Sequence, residues 1–249
     1  MGKLILKGVR LFAGGADLTS NTNKIEFSSE VEAKDVTAFN PNSATDVWQE
    51  VLGGMATTKA SAEGQWEALD SSKVDDASWL ELATVGAWTA GPVGANVGDL
   101  AWVTRMMRGA YGLGGPVGDV APWSADWSGS WPLARGQFLH PPGTARTATG
   151  TGTARQLGAL SAAQALYVTV HVLSATGTTP SITVAVDSDD AVGMASPTTR
   201  ATFAAATVRG GQVLRAVGPV TDDWWRVKWT ISGTGPSFLF AAAAGIGPA

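Results

Sequence analysis

His140 and His171 are the only imidazoles in this chain of 249 residues, and no cysteine accompanies them. Without thiols there is no disulfide framework, thiolate zinc site, iron–sulfur cluster or cysteine nucleophile. Ser, His and Asp are all present, but a hydrolytic triad of the common elbow type needs a G-x-S-x-G turn, and none exists. His171 sits mid-strand in YVTVHVL, on the side of Tyr167 and Thr169, and reads as a surface or interface residue. His140 precedes two prolines and reads as structural.

Adjacent carboxylates such as Asp75 and Asp76, Asp189 and Asp190, or Asp222 and Asp223 are the residue types of calcium sites and glycosidases. The densest group, DSDD at 187–190, lacks the glycine and terminal glutamate of a calcium loop and reads as a solvated turn leaving a strand. The glycine-rich run GLGGPVG is followed by neither Lys-Ser/Thr nor a helix, so it reads as a turn rather than a phosphate cradle. No catalytic residue, cofactor or metal ligand is assigned.

Tryptophan is the more informative side chain, with 11 copies. Trp224 and Trp225 are consecutive on a predicted strand and point to opposite faces, so they do not both enter one core. An exposed tryptophan can stack on a sugar ring or anchor a protein interface. Charged residues make up only 15% of the chain, against ~25% in ordinary soluble domains, which favours the interface. Seventeen basic against 21 acidic residues, a net charge of −4, oppose a nucleic-acid grip built on a basic surface. The halves differ: residues 1–140 carry 10 basic and 16 acidic residues, and residues 141–249 carry 7 and 5.

The elements that must hold these residues are strands. Over 24–37, Ile25, Phe27, Val31 and Ala33 alternate with Glu26, Glu30, Glu32 and Lys34, a half-buried strand with an acidic outer face. Residues 55–66 alternate likewise, and 38–54 between them form a long loop. One short helix is predicted over 75–84, capped by Asp75 or Asp76. Strands resume at 87–93, 99–109 and 117–131, the last placing Trp123, Trp127 and Trp131 on one side. Residues 141–153, PPGTARTATGTGT, read as a linker. Beyond it, six short strands between Gly, Thr and Pro turns suggest a small sandwich or jelly roll. The fold class is therefore all-β, a first domain at 1–140 and a second at 154–249. GPV runs at 91–93 and 218–220 form a faint echo between them, read as β-texture ahead of true duplication. The amino terminus has no signal-peptide core, and the longest apolar stretch, 238–247, is about half of a membrane span.

The run GGADLTSNTNKIEFSSEVEAKDVTAFNP at 14–41, followed by WQEVLGGMATTKASAEGQWEA at 48–68, resembles the major tail (tail tube) proteins of long-tailed bacteriophages: D-L-T, an acidic strand ending D-V-T, a loop, V-L-G-G, and a strand ending E-G-x-W, in that order. Residues 98–140 are similar to that family's closing strands, and 141–249 to a carboxy-terminal β-region of some members. The resemblance implies a tail-tube β-sandwich or barrel, without catalysis or cofactor, that assembles into hexameric or trimeric pseudo-hexameric rings stacked into a hollow tube in the virion tail. Its implied partners are further copies of itself, tail tip and terminator proteins, and the tape-measure protein and DNA in the lumen, without sequence-specific binding. On that reading Glu26, Glu30 and Glu32 line the lumen, the loop with Asn40, Asn42, Asp46 and Trp48 orders between stacked rings, and Trp224 and Trp225 serve an interface. The alternative is a carbohydrate-binding β-sandwich module that stacks sugars on Trp224 or Trp225.

Overall fold

The computed structural model of the chain describes residues 6, 8–37, 49–70 and 73–249. These form strands β1 (Arg10–Ala13), β2 (Ala16–Asp17), β3 (Thr22–Asp35), β4 (Val51–Gln65), helix α1 (Val74–Glu81), β5 (Val85–Gly91), β6 (Leu100–Leu113), β7 (Pro122–Gly129) and β8 (Ala134–His140). The second half adds β9 (Gly150–Thr151), β10 (Arg155–Gln156), β11 (Gln164–Asp189), β12 (Thr198–Thr202), β13 (Gly210–Val217) and β14 (Trp224–Pro248). The protein is all-β, with strands joined in one hydrogen-bonded antiparallel network.

β6 is the hub of the first half. One edge takes β5, from Trp102 to Met107, and the other takes β8 near Leu100–Val103 and then β7 from Met106 onward. Period-two alternation decides what each face buries. On β7, Trp123, Ala125 and Trp127 enter a core with Leu11, Trp88 and Met106. Trp131, past the end of β7, is half-buried against Tyr167. Helix α1 is too short to hold by propensity and is fastened at both ends. Its cap is the backbone of Lys73, while Asp75 and Asp76 lie inside the first turn rather than at the cap, favourably placed for the helix dipole. The Asp75 carboxylate accepts hydrogen bonds from Trp66 Nε1 (3.1 Å) and from the Tyr111 hydroxyl. Burial, with that carboxylate beside it, pushes the Tyr111 hydroxyl up to about 12.

The second half differs from the predicted row of short strands. Strands expected at 166–173 and 181–186 are one 26-residue strand, β11, and those at 224–231 and 236–243 are one 25-residue strand, β14. They pair along nearly their whole length, with register shifts around Thr176–Ser181. There Gly177 and Gly233 take left-handed φ values of 120° and 117°, which a side chain rarely adopts, and turn signals in the sequence become bends within a continuous ribbon. One core gathers Leu166, Val168, Val170 and Val172 from one end of β11 and Ile182, Val184 and Val186 from the other, so the ribbon is folded upon itself. The opposite face of its first arm, with Tyr167 and Ala165, enters a separate core with Phe12, Val103 and Phe138. That arm is covered on both sides.

Residues 146–152 are fastened to β14. Arg146 exchanges backbone hydrogen bonds with Phe238, and β9 pairs with β14. β14 continues the sheet onto β8 through Ala242–His140 to Ile246–Arg135. The GPV runs at 91–93 and 218–220 are wired differently: the former joins β5 to its partner β6, whereas the latter joins β13 to β14, which flank β11.

Candidate functional site

Among the described residues β3 pairs with β4 alone, and the second edge of β4 is taken by β7 only between Lys59 and Gln65. At its base the hairpin is anchored by apolar alternation, with Phe27 packing edge-on against Trp88 at 5.7 Å between ring centroids. Beyond Ser28 and Thr57 nothing among the described residues covers it. Ser28–Asp35 and Val51–Thr57 form a two-stranded arm with open faces and outer edges, roughly 25 Å long at the rise of a strand. Val31, Val51, Leu52 and Met55 are exposed along it, and a bulge between Val31 and Ala33 adds local twist. Free backbone edges with exposed apolar side chains are a template for pairing with another chain. The start of β4 also shortens the predicted loop, since Val51–Gly54 already belong to the strand.

Glu26, Glu30 and Glu32 are exposed and alternate along β3. The face is less acidic than those three imply. Lys24 Nζ lies 3.1 Å from Glu63 Oε1 and 3.5 Å from Glu26 Oε1, Lys34 pairs with Glu32, and Lys59 stands across from Ser28. Asn40, Asn42, Asp46 and Trp48 lie outside the described residues. Trp224 is half-buried, opposite Gln156 and Asp189. Trp225 is corrected from interface to core: it has no exposed surface, and its Nε1 donates to the Gly158 carbonyl at 2.9 Å.

Both histidines are buried and saturated. His140 Nδ1 donates to the Phe240 carbonyl at 3.0 Å, and its Nε2 accepts from Arg146 Nε at 2.9 Å. His171 corrects the sequence reading, because it is fully buried rather than superficial. Its Nδ1 donates to the Gly14 carbonyl at 2.7 Å, and its Nε2 accepts from the Thr89 hydroxyl at 2.8 Å. Burial pulls both imidazoles down to about 4, so at neutral pH they are uncharged hydrogen-bond links. DSDD is also not a solvated turn. Asp187 is buried and accepts from Lys228 Nζ and the Thr199 hydroxyl, each at 2.8 Å, and only Asp190 is exposed. Among the described residues no three His, Asp or Glu side chains converge as metal ligands. No helix among them is long and apolar enough to cross a membrane.

Sequence reasoning missed a cavity of about 540 Å³ between the β1–β2 turn, β5, β6, the end of α1 and the start of β13. Arg108, Arg209 and Glu81 line it together with Trp88, Met106 and Trp127, and exposed Leu80, Val85 and Val208 stand at its rim. Its one signal in the sequence is a cation continuing the face of Thr104 and Met106 on a strand where an apolar residue is expected.

No protein-family profile matches the sequence, and no curated protein matches it closely enough to count as a relative. Among solved structures the chain is similar to the tail of an empty gene transfer agent (GTA) particle refined with C6 symmetry, at 16% identity over 46% of this chain and 81% of that one, TM-score 0.37. It is similar to a chain of the native GTA virion at 17% identity, covering 46% and 84%, TM-score 0.36. A third is the Dit protein (gp 19.1) of phage SPP1, described as a hub adsorption apparatus, at 9% identity over 97% of this chain and 100% of that one, TM-score 0.35.

Proposed function

We propose that this chain is a structural subunit of a bacteriophage tail, which self-assembles into rings stacked into the tube that conducts DNA. The observation that carries the reading is the free β3–β4 arm, lying within the ordered run of motifs that resembles tail tube proteins. A two-stranded ribbon is marginal alone in water and gains most by adding to a neighbour's sheet. In a ring each copy supplies the arm and receives the next one, a heterologous contact that closes after a fixed number of copies. Contacts between rings fall, on this reading, to the segment holding Asn40, Asn42, Asp46 and Trp48. The glutamates of the arm face the lumen, where like charge keeps DNA from adhering. The chemistry in view is assembly rather than catalysis. A sugar-binding role, with Trp225 in the core, is left with Trp224 alone.

Electron microscopy of the purified protein at rising concentration tests the reading. Hollow tubes or stacked rings are expected from the parent. Val31→Lys with Met55→Glu, both on exposed positions of the arm, should leave a folded monomer that no longer assembles. A parent that stays monomeric at every concentration and binds a glycan array through Trp224 would replace this reading with the sugar-binding one.

A further inference from the structure

Arg108 is the most anomalous of the described residues. Its side chain is 1% exposed, and none of its three guanidinium nitrogens has a hydrogen-bond partner. Glu81 Oε2 stands 3.8 Å from Nη2, close enough to offset charge but too far to accept a hydrogen bond. The Trp127 ring lies under the guanidinium, 4.7 Å from centroid to Cζ, which attracts a cation but does not satisfy N–H groups. Buried polar groups are almost always partnered, and an unpartnered buried cation is among the costliest. The Trp88 indole N–H, on the same cavity wall, is buried without a partner too.

The cavity these groups line is largely apolar. Among the described residues its charged lining is Arg108, Arg209 and Glu81. Arg209 also donates to the Gly15 carbonyl at 3.0 Å, tying the second half of the chain to the cavity mouth. The rim is greasy where a monomer's surface should be wet: Leu80 is 73% and Val208 69% exposed. The unpartnered guanidinium of Arg108, a planar double donor at the base, and the apolar shoulders select a carboxylate flanked by aliphatic groups.

The chain carries such a group at the far end of the same strand. Between β6 and β7 the turn Pro116–Asp119 projects from the surface, closed by a hydrogen bond from the Asp119 amide to the Pro116 carbonyl. Every residue from Leu113 to Val120 is exposed, so Asp119 is displayed between bare Val117 and Val120. Among the described residues the Asp119 carboxylate makes no ion pair, in contrast to Glu26 and Glu32 on the arm. The loop leaves β6 five residues beyond Arg108, roughly 17 Å along the strand and directed away from the cavity, so a chain does not fill its own site. We propose that the cavity receives the Val117–Val120 loop of a second copy, with Asp119 accepting from the guanidinium of Arg108 and the two valines seated against Leu80 and Val208. The contact joins unlike surfaces, head to tail, and so propagates around a ring. It rests on the self-assembly reading but does not use the β3–β4 arm.

Because the chain lacks cysteine, introduced thiols report this contact cleanly. Leu80→Cys with Val120→Cys should give, on mild oxidation of the assembling protein, a ladder of covalent oligomers. Either single variant should stop at a dimer or monomer. Asp119→Asn, on an exposed loop and harmless to folding, should raise the concentration needed for assembly by about tenfold or more, as loss of one partner of a desolvated charge pair does. Rings that form without a ladder, or an Asp119→Asn protein that assembles like its parent, would overturn this contact and leave the tube reading standing. The same holds if only Glu30→Gln weakens assembly, since the arm would then be the occupant. A ladder without rings supports the contact and sinks the tube. Failure of every copy-to-copy association overturns both.

Discussion

At the residue scale, the two buried imidazoles make stability depend on pH in a direction that follows from their surroundings. Each is held neutral by burial, with one nitrogen donating to a backbone carbonyl and the other accepting. Both fall from the ordinary value of 6.5 to about 4 in the folded chain. Above pH 6.5 folded and unfolded forms bind the same number of protons at these sites. As the pH falls toward 4 the unfolded chain takes up protons that the folded chain refuses, so this stability is lost. The upper bound is on the order of 3 kcal/mol per imidazole. We expect thermal unfolding to drop steeply between pH 6.5 and 4, and the drop to shrink in His171→Gln; a pH–Tm profile of that variant parallel to the parent's would remove His171 from the account. The sequence correctly placed His171 with Tyr167 and Thr169 on one face of a strand. What it did not hold was the cover on that face, Thr89 and Gly14, which arrives from positions far earlier in the chain. DSDD failed for the same reason: the cations that neutralise Asp187 come from β14.

Alternation is local and was legible element by element: β3, β4, β5, β6 and α1 lie within a few residues of their predicted bounds. Continuity was not legible. Gly, Thr and Pro clusters at 176–180 and 232–236 carry the ordinary signals of turns, yet their neighbours stay paired across them and make one long ribbon. The joint between the halves of the sheet was equally hidden. Gly136 of β8 stands directly opposite Gly245 of β14, a glycine pair in adjacent strands. A Cβ on Gly136 would lie 1.8 Å from the Ala244 carbonyl oxygen, a backbone atom that no rotamer change can move. Gly136→Ala must therefore shift one strand against the other. We expect a loss of about 3 kcal/mol, at the upper end for overpacking, and a Tm lower by roughly 6–12 °C. Gly143→Ala, whose Cβ would meet nothing within 4 Å, is the matched control. Equal melting of the two variants would mean that the β8–β14 joint is looser than its geometry implies.

For the whole molecule, charge and assembly have to be reconciled. A chain with few charges, an open arm and an apolar-rimmed cavity is poorly suited to life as a monomer, and its surfaces make sense when neighbours cover them. In the proposed tube, such coverage would leave the lumen as the surface whose charge is free to act on a passing polyanion. The candidates Glu26, Glu30 and Glu32 are interleaved with Lys24, Lys34 and Lys59, so the face is a weak repeller and not a strong one. That mixture bounds the expected effect. Replacing all three glutamates by lysine turns a face of near balance into one whose charges along β3 are all positive, with Ser28 the one uncharged position in the row. Within rings the same row is repeated by every copy, at spacings where DNA phosphates bind cations with release of counterions. Tubes of the triple variant should therefore form at the parent's concentration but retain DNA at low salt, releasing it as ionic strength rises, while parent tubes show no such retention. In virions the expected result is slowed delivery with normal particle counts. Normal infectivity of the triple variant would place these glutamates on the outside of the tube, and tubes that fail to form would place them in the contact between copies.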